Sequence, residues 1–149
     1  MGELTGLVAA ITEDIPHLIA NLANTSAVIF DNMKDLNWAG FYLMEDGKLV
    51  LGPFQGKVAC IEIKVGRGVC GTAVAKDETI VVKDVHEFPG HIACDGASES
   101  EIVVPIHKDG KVWGVLDIDS PIKNRFSEAD KEDLEGVVKV LEGIIRSFV

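Results

Sequence analysis

The sequence is short of several things, and each shortage excludes something. Its three cysteines, Cys60, Cys70 and Cys94, are odd in number and too few for a disulfide framework. No uninterrupted apolar run reaches the roughly 18 residues of a membrane-spanning helix. Bases are scarce: 14 Lys and Arg stand against 24 Asp and Glu, for a formal net charge of -10. Such a surface repels phosphate backbones and anionic lipid, so neither nucleic acid nor a membrane is an expected partner. The opening stretch, Met1 to Leu18, carries an acid at Glu3 and no basic n-region, which is unlike a secretory leader. A cytoplasmic location is therefore expected, where a disulfide is transient and catalytic more often than structural. No repeat and no Pro/Gly/Ser-rich linker divides the 149 residues, so a single domain over 1–149 is expected.

What is present begins with helical periodicity. Leu4, Leu7, Val8 and Ile11 recur at spacings of three and four, and Pro16 suits the first turn of a second helix running to about Met33. The pattern then changes to short runs rich in β-branched and aromatic residues: WAGFYLME, KLVLGPFQ, CIEIKV, TIVVKDV, EIVVPIHK and KVWGVLDI. Asp46-Gly47 and Asp109-Gly110 predict two antiparallel hairpins. A short helix is expected over Val69 to Lys76. A final one is expected after Ser127, whose spacing to Asp130 makes a capping box. Its apolar face is Leu134, Val137, Val138, Leu141, Ile144, Ile145 and Phe148. Helices at both ends of a mostly antiparallel sheet make an α+β domain.

One motif misleads. Gly66, Gly68 and Gly71 satisfy the spacing of the dinucleotide fingerprint, but hairpins downstream leave no room for its parallel crossover. The alternative is a tight turn into a helix N-terminus. Its free amides would favour a thiolate at Cys70 or receive a ligand carboxylate.

Several chemistries compete for the cysteines. His91, Cys94, Cys60 and Cys70 supply four ligands suited to zinc, but without a C-x-x-C knuckle. A cysteine can also be a small buried hydrophobe, which suits Cys60 at the start of an apolar run better than Cys94 in a polar loop. A Cys-His hydrolase would pair Cys94 with His91 or His86, yet no oxyanion hole is identifiable. Thiol redox chemistry needs an attacking thiol and a second thiol to resolve the oxidised intermediate. Reducing a sulfoxide further needs an acid to protonate the departing oxygen, a role for a carboxyl group whose pKa is raised by burial. Asp117 and Asp119 alternate along one strand and share a face, and Glu101 opens the strand expected to pair with it.

The stretches NWAGFYL, VACIEIKVGRGVCGTAVAK, DVHEFPGHIACDGASESEIVVPI and GVLDIDSP resemble the free methionine-(R)-sulfoxide reductases, a catalytic branch of the GAF-domain fold. The likeness runs from about Leu22 to Phe126 and includes all three cysteines. Ile61 and Lys64 depart from it, standing where a more polar residue and a proline are expected.

The resemblance implies a GAF-like, six-stranded antiparallel sheet with N- and C-terminal helices packed on it. It implies a closed pocket for free methionine-(R)-sulfoxide, with thioredoxin as reductant and neither cofactor nor metal. By the same resemblance Cys94 is the nucleophile and Cys60 the resolving thiol, while Cys70 is a relay or an alternative nucleophile. Among Glu101, Asp117 and Asp119, either Glu101 or Asp119 donates the proton and Asp117 holds the substrate ammonium. Trp38 and Tyr42 lie four apart on one strand face and would line the pocket. The rival is a non-catalytic GAF module that senses a small ligand or redox state, acting through dimerisation; a homodimer remains open under either reading.

Overall fold

The computed structural model describes residues 2–91 and 96–148. Two helices, α1 (Glu3–Thr12) and α2 (Leu18–Asn32), precede the hairpin of β1 (Trp38–Glu45) and β2 (Lys48–Gly56). A short β3 (Glu62–Lys64), α3 (Gly68–Lys76) and a short β4 (Ile80–Val82) follow. A second hairpin, β5 (Ser100–Lys108) and β6 (Lys111–Ser120), leads to α4 (Glu128–Ile145). The six strands form one sheet in the order β3-β2-β1-β6-β5-β4, and every pairing is antiparallel. The α+β GAF-like expectation holds.

Both hairpins turn where Asp-Gly lies. Asp46 and Gly47 have φ of 51° and 79°, and Asp109 and Gly110 have 53° and 76°. Two successive left-handed residues match the right-handed twist of the flanking strands. The turns thereby fix register, and register decides which side chains share a face.

The two faces differ in what they bury. Ala39, Phe41, Ile102, Val104, Ile106, Leu116 and Ile118 point to one side and pack against α1, α2 and α4 in the main core. The alternating residues, among them Trp38, Tyr42, Val103 and Val115, face α3 in a smaller core that includes Cys70. Burying a leucine or isoleucine of the first face contributes about 1.5–3 kcal/mol. The second face is free to hold polar residues.

Helix termini follow local chemistry in one case and tertiary contact in another. The Ser127 hydroxyl accepts from the Asp130 amide at 3.1 Å while the Asp130 carboxylate accepts from the Ser127 amide at 3.0 Å, completing the expected box. At α1, Gly2 offers no side-chain cap. Asp133 of α4 supplies it instead, accepting from the amides of Leu4 at 3.0 Å and Thr5 at 2.9 Å. A carboxylate at a helix N-terminus satisfies orphan amides and the helix dipole together, contributing about 1 kcal/mol. Two expectations shift. Pro16 lies ahead of α2, whose N-cap is His17, and Leu7 is exposed because α1 turns Leu4, Thr5, Val8 and Thr12 inward.

Candidate active site

Register assembles the acids. Glu101 of β5 lies directly opposite Asp119 of β6, and Asp119 lies opposite Trp38 of β1. One row further on, Asp117 sits between Val103 and Gly40. Glu101, Asp117, Asp119, Trp38 and Tyr42 therefore share the α3-facing side of the sheet, as their alternation requires. All five line a small cavity of about 40 Å³, closed by Cys70, Val69 and Gly68 of α3 and by His91 and Ser98.

The electrostatics of this face are unusual. Glu101 and Asp117 are both buried, each 6% exposed. Burial raises both carboxyls well above the usual carboxylate range, and neighbouring acids, Asp119 beside Glu101 and Glu101 beside Asp117, push them further. One Asp117 oxygen, Oδ1, is buried and has no hydrogen-bond partner among the described residues. A buried acceptor left empty costs roughly 1–3 kcal/mol, which suggests a site built to receive a donor. His91 Nε2 lies 3.6 Å from Glu101 Oε1. Burial lowers the His91 pKa, opposed by Asp117, so near neutrality its ring contributes polarity without a full charge.

Cys70 corrects an expectation. It does lie in the first turn of α3, but the helix terminus does not favour its thiolate. Burial comes first, and the charges of Asp117, Glu101 and Asp119 add to it, holding the thiol protonated with a hydrogen bond to Asp117. Desolvation and three acids outweigh a dipole equivalent to about half a charge. Gly68, Val69 and Cys70, whose first-turn amides have no acceptor within their own helix, are among the residues that line the cavity.

The glycine motif has another use. Gly71 touches the end of β3 so closely that a Cβ would lie 2.4 Å from the Lys64 carbonyl oxygen. It lets α3 seat on the sheet, and an all-antiparallel sheet offers no dinucleotide crossover.

Cys60 also departs from its reading as a buried hydrophobe. It is only half-buried, precedes β3 and is disulfide-bonded, whereas Cys70 is a buried free thiol. Cys94 lies outside the described residues, and so does its part in the zinc and hydrolase readings. The sulfur of Cys70 does cluster with ligand atoms of Glu101 and Asp117, all within 4.8 Å of one another. These are the residues of the pocket that could hold a soft cation.

Trp38 and Tyr42 do more than line the wall. The Tyr42 hydroxyl donates to the Cys60 carbonyl at 2.8 Å, and Trp38 Nε1 donates to the Lys57 carbonyl at 3.1 Å. Both bonds tie the Cys60 segment to the sheet. Trp38 also stacks on Phe54, with ring centroids 5.0 Å apart. Gly40 permits this, since a Cβ there would lie 2.2 Å from that of Phe54.

A family model described as GAF domain matches residues 7–145. The Escherichia coli protein named free methionine-R-sulfoxide reductase is 56% identical over 127 residues, covering 85% of this chain and 77% of that protein. The Saccharomyces cerevisiae protein of the same name is 52% identical over 131 residues, covering 83% and 73%. The chain belongs to the free methionine-R-sulfoxide reductase family of GAF domains. Family likeness extends to solved structures. One is the Staphylococcus aureus fRMsr in complex with substrate, with a TM-score of 0.91 and 56% identity over 95% of this chain and 93% of that one. Another is the free methionine-R-sulfoxide reductase of Neisseria meningitidis in complex with its substrate, with a TM-score of 0.94 and 45% identity over 97% and 87%.

In this member of the reductase family, the structure brings Trp38, Tyr42, Cys70, Glu101, Asp117 and Asp119 into one pocket. His91, Ser98 and Arg67 also line it; they belong to the stretches 84–100 and 66–71, which the sequence leads one to expect over the substrate, although it singles out none of the three side chains as lining. For the His91 side chain the signal was its spacing of three from Cys94. Ser98 and Arg67 stand in turn-forming stretches where polar residues are ordinary.

Proposed function

We propose that this chain reduces free L-methionine-(R)-S-oxide to L-methionine, with Cys94 as nucleophile and thioredoxin as the source of electrons. The observation that carries the reading is the buried carboxylate set Glu101, Asp117 and Asp119 facing Trp38 and Tyr42 in one small cavity. Relatives that cover most of the chain, some solved with substrate, support it.

The chemistry follows from the environments. The Cys94 thiolate attacks the sulfoxide sulfur, and a carboxylic acid protonates the oxygen. Glu101 is the proton donor: it is buried where Asp119 is half-buried, and burial favours the neutral acid. Asp117 offers Oδ1, which has no partner among the described residues, to the substrate ammonium, and Asp119 adds charge at the same end. The amides at the start of α3 suit the substrate carboxylate. The protonated oxygen then passes from the substrate sulfur to the Cys94 sulfur as the new sulfur–sulfur bond and the old S–O bond break, so methionine leaves with its sulfur reduced by two electrons and Cys94 becomes a sulfenic acid. The Cys60 thiol condenses with it, forming a disulfide and water. Two thiols of thioredoxin then reduce that disulfide, which their potential near about -270 mV allows. Cys70, held protonated, is the weaker nucleophile and instead donates to Asp117, steadying the ammonium acceptor.

The test is a coupled assay of NADPH, thioredoxin reductase, thioredoxin and each epimer of free methionine sulfoxide. NADPH oxidation and methionine release are expected with the R epimer and not with the S epimer. Failure to form methionine from the R epimer even with excess dithiothreitol would overturn the activity.

A further inference from the structure

The segment that carries Cys60 presents apolar side chains to solvent. Val58 is 87% exposed, Ile61 is 69% exposed and Val65 is 42% exposed. Scattered exposed apolar residues need no explanation, but three within eight positions, on either side of a disulfide-bonded cysteine, do. Nor is their exposure the looseness of an untethered loop. Trp38 Nε1 binds the Lys57 carbonyl at 3.1 Å, the Tyr42 hydroxyl binds the Cys60 carbonyl at 2.8 Å, and the Leu51 amide binds the Ile61 carbonyl at 2.9 Å. Three bonds to the sheet hold this segment in place, so Val58 and Ile61 are displayed by a rigid support.

The surroundings narrow the occupant. The segment runs into β3, an edge strand whose outer side pairs with no other strand among the described residues. Lys57, Lys64 and Arg67 are exposed there, while the one acid among them, Glu62, pairs with Lys48 at 3.3 Å. On a chain of net charge -10 this is a locally basic strip. A second copy covering it would seal Cys60 from any incoming thiol and stop recycling. A dithiol protein with an acidic, partly apolar face has both the complementary charge and a reason to be at that sulfur.

We infer that Val58 and Ile61, rimmed by Lys57 and Lys64, form the docking surface for the protein dithiol that reduces the Cys60 disulfide, an inference that rests on the recycling scheme proposed above. The incoming thiolate attacks the Cys60 sulfur and releases the other cysteine as a thiolate. The second thiolate of the reductant then attacks its own sulfur in the mixed disulfide and frees Cys60. Two electrons pass from the reductant, which leaves as a disulfide, and the protons of its two thiols end on the two freed cysteines.

The experiment compares wild type with Val58→Glu/Ile61→Glu, both at exposed positions away from the pocket wall. Thioredoxin and dithiothreitol serve as alternative reductants for the full-length enzyme. The double variant is expected to lose at least about tenfold in kcat/KM for thioredoxin, as interface anchors do. Turnover with dithiothreitol and the methionine burst without reductant should stay at wild-type values. Equal thioredoxin kinetics in variant and wild type would overturn the docking surface. The same kinetics with a change from dimer to monomer in sedimentation would also overturn it and assign the patch to a second copy. If wild type turns over with dithiothreitol but never with thioredoxin, the recycling scheme falls instead.

Discussion

Glu101 and Asp119 face each other as a directly registered pair across β5 and β6, two acids on one side of a sheet. Like charges opposite one another destabilise a strand pair. The arrangement makes sense if at least one of the neighbouring carboxyls stays protonated and a cationic ligand neutralises another. Both conditions lead to measurable consequences.

The first concerns substrate charge. N-acetylation removes the ammonium of methionine sulfoxide and adds few atoms, taking away the cation that Asp117 is proposed to hold. Leaving a buried carboxylate uncompensated costs several kcal/mol, of which roughly 2.7 kcal/mol already gives a hundredfold loss in kcat/KM. Steady-state kinetics with the free and N-acetylated R sulfoxides measure this, and comparable values would refute the carboxylate cage.

A second expectation separates the half-reactions. Cys94→Ser should abolish both turnover and the single equivalent of methionine released without reductant. Cys60→Ser should keep that burst and lose cycling, since its sulfenic acid has no resolving thiol. Rapid-quench quantification of methionine distinguishes them, and a normal burst in Cys94→Ser would move the nucleophile to Cys70.

Stability should run against activity at Asp117. Its carboxyl is raised above the ordinary range by burial and by Glu101. The folded state therefore binds a proton that the unfolded state releases, and wild-type stability falls as pH rises above the usual carboxylate pKa of about 4. Asp117→Asn should melt higher than wild type at neutral pH, by roughly 2–4 °C per kcal/mol relieved. The gap should close as pH falls towards about 4. Melting curves across that range decide it; a variant less stable at neutral pH would contradict the sign.

His107 should show its own pH dependence. Its Nδ1 lies 2.9 Å from Glu142 of α4 and its Nε2 binds Asp77, the C-cap of α3, so one ring joins three elements. Those bonds, Asp77 first, raise the imidazole pKa above 6.5. A raised histidine stabilises fully below its unfolded pKa and loses that contribution as pH rises through the folded one. The pair is partly exposed, so the effect should stay within about 1 kcal/mol. In His107→Gln, the fall in melting temperature above about pH 6.5 should shrink relative to wild type.

Much was legible in the order of residues because it depends on local physics. The Asp-Gly turns set two hairpins, their register follows from turn geometry, and alternation puts Asp117 and Asp119 on one face of β6 and Trp38 and Tyr42 on one face of β1, whereas the long-range pairing of β1 with β6 makes those two faces one. The Ser127 capping box and the apolar face of α4 are equally local. The family resemblance named the chemistry and the cysteines.

What tertiary structure alone decided were contacts between segments far apart in the chain. Position in a first helical turn argued for a thiolate at Cys70, but packing α3 over three acids reverses that, because desolvation at close range outweighs a helix dipole. The amino-acid order likewise has no way to say that Asp133 caps α1, that His91 comes to 3.6 Å from Glu101, or that the Tyr42 hydroxyl holds the Cys60 carbonyl. Periodicity reports which face a side chain takes. Which partner it meets there depends on how the layers close, and that closure set the charge state of the pocket.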